Sequence, residues 1–158
     1  MGKIKIKETR YCCDTRAMSS LITEKMVERE TLYHIEAVNK CARWFNKELI
    51  KRTKKHDSTK LGSYLTNYTL ALKTNFVDVD FKQLSWWYIH THEERHHLND
   101  RCPYDVNMFD VMEMIFDGVS AGLARNGRVD NVSISSEVLQ KAINNTVSLL
   151  VKQIKVTK

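Results

Sequence analysis

At 158 residues the chain fits one domain and is long enough to bury a real core. Hydrophobic residues make up 42% and proline occurs once, which excludes a disordered or loop-dominated chain; five glycines favour helices over a sandwich of short strands. The formal net charge of +6 and pI near 9.1 suit anionic partners such as nucleotides or nucleic acid, although ordinary surface lysine gives the same balance.

In chain order, residues 1–18 are basic and mixed, a candidate N-terminal arm in which GKIKIK alternates like a short strand or runs as a loose arm. A helix is predicted from about Ser20 to Lys55, with an interruption near Glu30 left open; Ile35, Val38, Ala42, Phe45 and Leu49 recur at steps of three and four. The same period carries Leu61, Tyr64, Leu65, Tyr68 and Leu72 through a second helix over Ser58 to Lys73. A third helix is expected from Asp80 to Leu98, broken by NDRCPY with Pro103 at the boundary. A fourth runs from Asp105 to Arg125 on a stripe of Met108, Val111, Met112, Ile115, Val119 and Leu123, and stops at RNG. Within residues 128–158 a C-terminal helix starts at a Ser136 cap and ends near Lys152. The pattern predicts an all-α domain spanning 1–158 with five or six helices and no internal repeat.

Cys12, Cys13, Cys41 and Cys102 form no CxxC pair, and vicinal Cys12-Cys13 is a poor disulfide. No apolar run approaches the roughly 18 residues needed to span a bilayer. The N-terminus reads as neither a signal segment nor a myristoylation signal, because Ile6 stands where a Ser or Thr is required. The expectation is a soluble, reduced, cytoplasmic protein with no membrane partner.

The segment HTHEERHH holds His90, His92, His96 and His97, and all six histidines lie between positions 34 and 97. On a continuous helix His90 and His97 differ by only about 20° around the axis, with Glu94 between them, whereas His92 points away. Asp110, Glu113 and Asp117 form an acidic stripe on the fourth helix, His34 is one step from the apolar Ile35 and Val38, and His56-Asp57 stand side by side at a helix junction. Imidazoles and carboxylates converging from several elements are the ligand mixture of a borderline or hard divalent ion. Each piece alone is as well read as a core histidine or a solvated acidic face.

The ordered set H…HD…H…H…D resembles the HD-domain superfamily of metal-dependent phosphohydrolases. Its nearest look is to small phage and bacterial proteins of unassigned function with a dyad followed by Ser/Thr-Lys, then HxxxxxHH and an ExxxD helix; this sequence has HDSTK, HTHEERHH and EMIFD in that order. The resemblance covers roughly residues 32 to 125 and implies an all-helical HD-like domain. It implies that His34, His56, Asp57 and Asp117 hold a first metal, and that His90 and His97 hold a second, bridged by Asp57. One or two ions of manganese, iron, cobalt, nickel or zinc are implied, without a choice among them. Glu94 or Glu113 would take a proton or orient a histidine. Lys60, Arg95 or Arg101 would clamp phosphate, with His96 as a substrate contact or substitute ligand.

The expected function is hydrolysis of a nucleotide or related phosphoester by metal-activated water, in the host cytoplasm if the gene is phage-borne. A homo-oligomer is compatible with it. Three rivals stand beside it: a di-iron oxygenase on the same scaffold, a nonenzymatic basic helical protein binding nucleic acid through KRTKKH and the arm, and a structural zinc or pH-responsive protein.

Overall fold

The computed structural model describes residues 3–9, 21–74, 80–129 and 131–158. The fold is all-α: five α-helices among the described residues, with one two-stranded sheet. They are α1 (Glu24–Thr53), α2 (Leu65–Thr74), α3 (Ser85–Glu93), α4 (Met108–Asn126) and α5 (Ser136–Gln153); the strands are β1 (Ile4–Lys7) and β2 (Ile154–Thr157). Among the described residues no helix is long and apolar enough to cross a membrane. Expectations for residues 10–18 of the arm and for Cys12-Cys13 lie outside the described residues.

The chain packs as two compact units. The first takes in Met1–Glu48 and Val147–Lys158, the second Leu49–Thr146. In the first, β1 and β2 pair in parallel with Ile4 opposite Ile154 and Lys7 opposite Thr157. Ile4 is buried, and the Glu8 amide donates to the Thr157 carbonyl at 2.8 Å. Lys40 on α1 donates to the Lys5 carbonyl at 3.0 Å, and Lys7 lies 4.8 Å over the Tyr33 ring, so both tie β1 to the helix. Of the two readings open for GKIKIK, the strand is the one found, over Ile4–Lys7. The C-terminal strand was not foreseen, and the helix expected there ends at Gln153.

α1 is one uninterrupted helix whose first turn is capped by Thr23, its Oγ1 accepting from the Met26 amide. Its predicted stripe is buried only at Leu49; Ile35 and Val38 are half exposed. The predicted second helix begins late, because Asp57 (φ 57°) and Gly62 (φ 57°) take left-handed backbone and leave two 3₁₀ turns, Ser58–Lys60 and Gly62–Tyr64, before α2.

The second unit is built on α4 and α5. Val106, Val111 and Ala142 are almost fully buried together with Leu98, and Met108, Met114, Ile115, Val138 and Leu139 pack around them. Asn107 caps α4 in a capping box with Asp110: its side chain accepts from the Phe109 amide, and Asp110 accepts from the Asn107 amide. Thr146 of α5 accepts from the Met108 amide at 2.9 Å, and Asn145 donates to the Val106 carbonyl at 2.8 Å. Gly127 (φ 65°) closes α4 as the RNG stop predicts. The N-terminal cap of α5 is Ser135, one residue earlier than expected, its Oγ accepting from Val138.

Candidate metal centre

The largest departure from the expected helices carries the site. α3 stops at Glu93, and residues 94–100 turn back on themselves: His97 donates to Glu94, Leu98 to His96, and Asp100 and Arg101 to His97 through backbone bonds. The cause is Glu94, which adopts extended backbone and buries its carboxylate under the dyad turn. One oxygen accepts from the Thr59 amide (3.0 Å), Ser58 Oγ (3.0 Å) and Thr59 Oγ1 (3.2 Å); the other accepts from the Asp57 amide (3.2 Å). The carboxylate thus holds Asp57, the sole non-glycine residue with positive φ among those described, in its left-handed conformation. A carboxylate so occupied positions the dyad, the orienting one of the two roles open to Glu94.

The turn brings His96 and His97 back onto His90. The Nε2 atoms of His90 and His97 are 2.7 Å apart, and the ring centroids of His96 and His97 are 4.3 Å apart. His90 and His97 therefore meet as expected, but through a turn and not through two turns of one helix. Behind them Trp86 stacks on His90 at 4.6 Å and donates its Nε1–H to the Thr59 carbonyl. Trp87 meets His97 edge-on at 5.1 Å. Both tryptophans pack and orient imidazoles. His90 Nδ1 is engaged by Thr59 Oγ1 at 2.5 Å, which leaves Nε2 aimed at the cluster.

Opposite, His56 reaches Glu113 (Nδ1 to Oε1, 3.0 Å), Asp117 (Nε2 to Oδ1, 3.4 Å) and Asp57 (Nε2 to Oδ2, 3.5 Å). Among the described residues three groups could each hold a metal ion, with candidate donor atoms within 4.8 Å of one another: Asp57, His90, His96 and His97; His56, His96 and Asp117; Glu94, His96 and Glu113. His96 belongs to all three. It is 2% exposed, and neither of its ring nitrogens has a hydrogen-bond partner. Asp57 Oδ1, turned towards His90 Nε2 at 3.7 Å, is also buried without one. Buried polar atoms are nearly always satisfied, and three such atoms in one cluster are what a bound ion would satisfy; the nearest polar atom to His96 Nδ1 among the charged partners is Glu113 Oε1 at 3.8 Å.

The electrostatics divide the cluster. Burial first, and then the neighbouring His97, pushes His90 down to about 3 and His96 to about 4; burial also lowers His97. All three are thereby kept neutral, the form that coordinates metals. His56 goes the other way, to about 10, held protonated by Asp117 and then Glu113, while Asp117 falls to about 2 through its bond to His56. A pocket of about 120 Å³ opens beside the cluster, lined in part by His96, His97, Asp117, Asn99, Asn131 and Ser133. Gly118 lets its wall close in, since any Cβ there would strike the Val132 side chain.

The remaining candidates fall in different places. Lys60 pairs with Asp57 Oδ2 at 2.5 Å, at the edge of the cluster. Glu113 orients His56. His34 is exposed in the first unit, and the clusters found among the described residues do not include it. Arg95 is not a free clamp: its fork is filled by Asp110 (Nε and Nη2, both 2.8 Å) and by Asp105. Asp110 is fully buried, taking Arg52 as well, and is a structural anion of α4. Arg101 is exposed on the turn after His97, and His92 donates its ring N–H to the Tyr88 carbonyl away from the cluster. The residue that sequence reasoning undervalued is His96, because a continuous helix would have placed it about 100° from His97.

The description "Family of unknown function (DUF5662)" belongs to the family model that matches residues 23–155, both units of the fold and every member of the histidine-carboxylate cluster. No curated protein and no solved structure matches the chain. With more than four fifths of its length matched, the chain belongs to the DUF5662 family.

Proposed function

We propose that this protein is an HD-type metal-dependent phosphohydrolase acting on a nucleotide or related phosphoester, in the cytoplasm. The observation that carries the reading is His96, buried with two unpartnered ring nitrogens between two sets of imidazoles and carboxylates. Asp57, His90, His96 and His97, neutral imidazoles beside one carboxylate, would hold the ion; His56, His96 and Asp117 are the alternative set, open to an ion only once His56 gives up the proton that Asp117 and Glu113 hold on it. The mixture of nitrogen and carboxylate donors fits manganese, iron, cobalt, nickel or zinc better than an all-oxygen magnesium or calcium site.

A divalent ion bound there supplies Lewis acidity and a water whose pKa lies near neutrality. The chain supplies the rest. Glu113 fixes the ring plane of His56, Glu94 fixes the backbone of Asp57, and Trp86 and Trp87 fix His90 and His97. Lys60, already beside Asp57, is the fixed cation nearest the cluster and can pair with a phosphoryl oxygen entering from solvent. Arg95 has no part in this, since its donors are committed to Asp110 and Asp105.

The test is to purify the protein, measure bound metals, and screen nucleotides and simple phosphoesters for phosphate or pyrophosphate release with added manganese, cobalt, nickel or magnesium. Metal-dependent release that disappears in His96→Ala supports the proposal. Oxygen consumption without phosphate release would favour the di-iron oxygenase instead. A folded protein that takes up no metal would overturn both.

A further inference from the structure

The formal charge of the chain is unevenly shared. The first unit holds thirteen Lys and Arg against seven Asp and Glu, which is the whole excess of +6, while the second holds twelve of each. The candidate metal centre therefore lies in the neutral unit. In the basic unit, Lys3, Lys5, Lys40, Arg43 and Lys47 line a groove of about 460 Å³ with the half-buried Trp44 among them.

Two of these cations are engaged, Lys3 with the Lys152 carbonyl and Lys40 with Glu36 and the Lys5 carbonyl. The side chains of Lys5, Arg43 and Lys47 are exposed and make no hydrogen bond or ion pair to any described residue. The sheet adds an observation of its own. Lys5 is paired in register with Lys155, also exposed, so two like charges stand side by side on neighbouring strands. Such a pair is destabilising unless something anionic lies over it. A mere solvated face would spread its lysines; this one concentrates them around an indole and tolerates a like-charge neighbour.

We infer that this groove binds single-stranded nucleic acid, with phosphates on Lys5, Arg43, Lys47 and Lys155 and a base stacked on Trp44. A cationic track interleaved with an aromatic face is how single strands are held without sequence preference. A duplex keeps its base faces stacked inside and offers Trp44 nothing. The inference does not rest on the metal reading, because the two sets of residues share no member.

The experiment is fluorescence polarisation of a labelled oligothymidylate with the full-length protein, with chelator present throughout so that no metal chemistry enters. Four phosphate contacts predict a slope of log affinity on log salt of about −3, or about 50-fold weaker binding between roughly 50 and 200 mM salt. Arg43→Gln with Lys47→Gln should halve that slope to about −1.4. Trp44→Leu should weaken binding by about 10-fold and leave the slope unchanged. Both altered cations are exposed, and circular dichroism confirms folding; if the double variant misfolds, Lys155→Gln replaces it and should lower the slope by about 0.7. Salt-independent binding, a wild-type slope in the cation variants, or binding to phosphatidylserine vesicles with none to the oligonucleotide would overturn the inference.

Discussion

Replacing Glu94 by Gln separates two roles that the carboxylate could play. In the fold Glu94 is 5% exposed and accepts four hydrogen bonds from Asp57, Ser58 and Thr59. Gln keeps one oxygen, which can retain the three bonds from Ser58 and Thr59, but turns an amide NH₂ towards the Asp57 N–H. One buried donor is then left facing another donor, at a cost of about 2 kcal/mol. The left-handed Asp57 backbone, itself costly by about 1–3 kcal/mol, loses the group that holds it. For a chain of this length about 2 kcal/mol lowers the melting temperature by about 4–8 °C. Glu94→Ala, which removes all four acceptor contacts, should cost about 4 kcal/mol. The assay is thermal and urea unfolding in chelator, followed by metal titration of the folded variants. Both variants should be destabilised in that order and bind metal more weakly, since Asp57 is no longer presented. A Glu94→Gln protein that is as stable as wild type and binds metal normally, yet has lost hydrolysis, would show that Glu94 transfers a proton and would refute the positioning role.

Further outcomes follow from the same geometry. His90→Ala and His97→Ala should lower metal retention equally, because their Nε2 atoms face one point, whereas His92→Ala should leave the metal content unchanged by elemental analysis. Asp110→Ala should destabilise the protein by about 3–5 kcal/mol in urea unfolding, because it strands Arg95 and Arg52 beside a buried position, while the metal content of the protein that remains folded is retained. In chelator-stripped protein, stability should peak near pH 6.5. His90 and His96 have folded pKa values of about 3 and 4, so below their ordinary 6.5 the unfolded chain binds protons that the folded chain refuses, and stability falls as pH drops towards 4 and 3. His56, raised to about 10, contributes fully below 6.5 and loses its contribution as pH rises through 10. A stability curve that is flat from pH 4 to 6.5 would contradict this burial of neutral imidazoles.

The helical class and most helix positions were legible because apolar residues recur with helical period and because RNG and Pro103 punctuate the chain. What escaped was wherever a side chain overrides that period. HTHEERHH continues a helical pattern without glycine or proline, and only the burial of Glu94 under the dyad turn stops α3 at Glu93. Asp57 gave no sign of left-handed backbone, because aspartate is tolerated there but not demanded. KQIKVTK alternates as GKIKIK does, and that echo was the available signal for β2, masked by the strong helix leading into it. The choice of His34, His56, Asp57, His90, His97 and Asp117 as neighbours rested on their order along the chain; the last five come together, and His34 lies exposed in the first unit, outside the clusters found among the described residues. The central place of His96 could not follow from helix geometry, because it depends on a turn. Arg95, read as a phosphate clamp, and Asp110, read as part of an acidic stripe, stand 15 residues apart in the chain, and only the fold joins them as one part-buried pair.

If His96 is the hub of a metal site, removing its ring removes the metal. Elemental mass spectrometry of protein reconstituted with manganese or zinc and desalted, for wild type and His96→Ala side by side, tests it most directly. Stoichiometric metal is expected on the wild type, and a large loss on a His96→Ala protein that circular dichroism shows to be folded. Metal bound equally by both, or by neither, would contradict it.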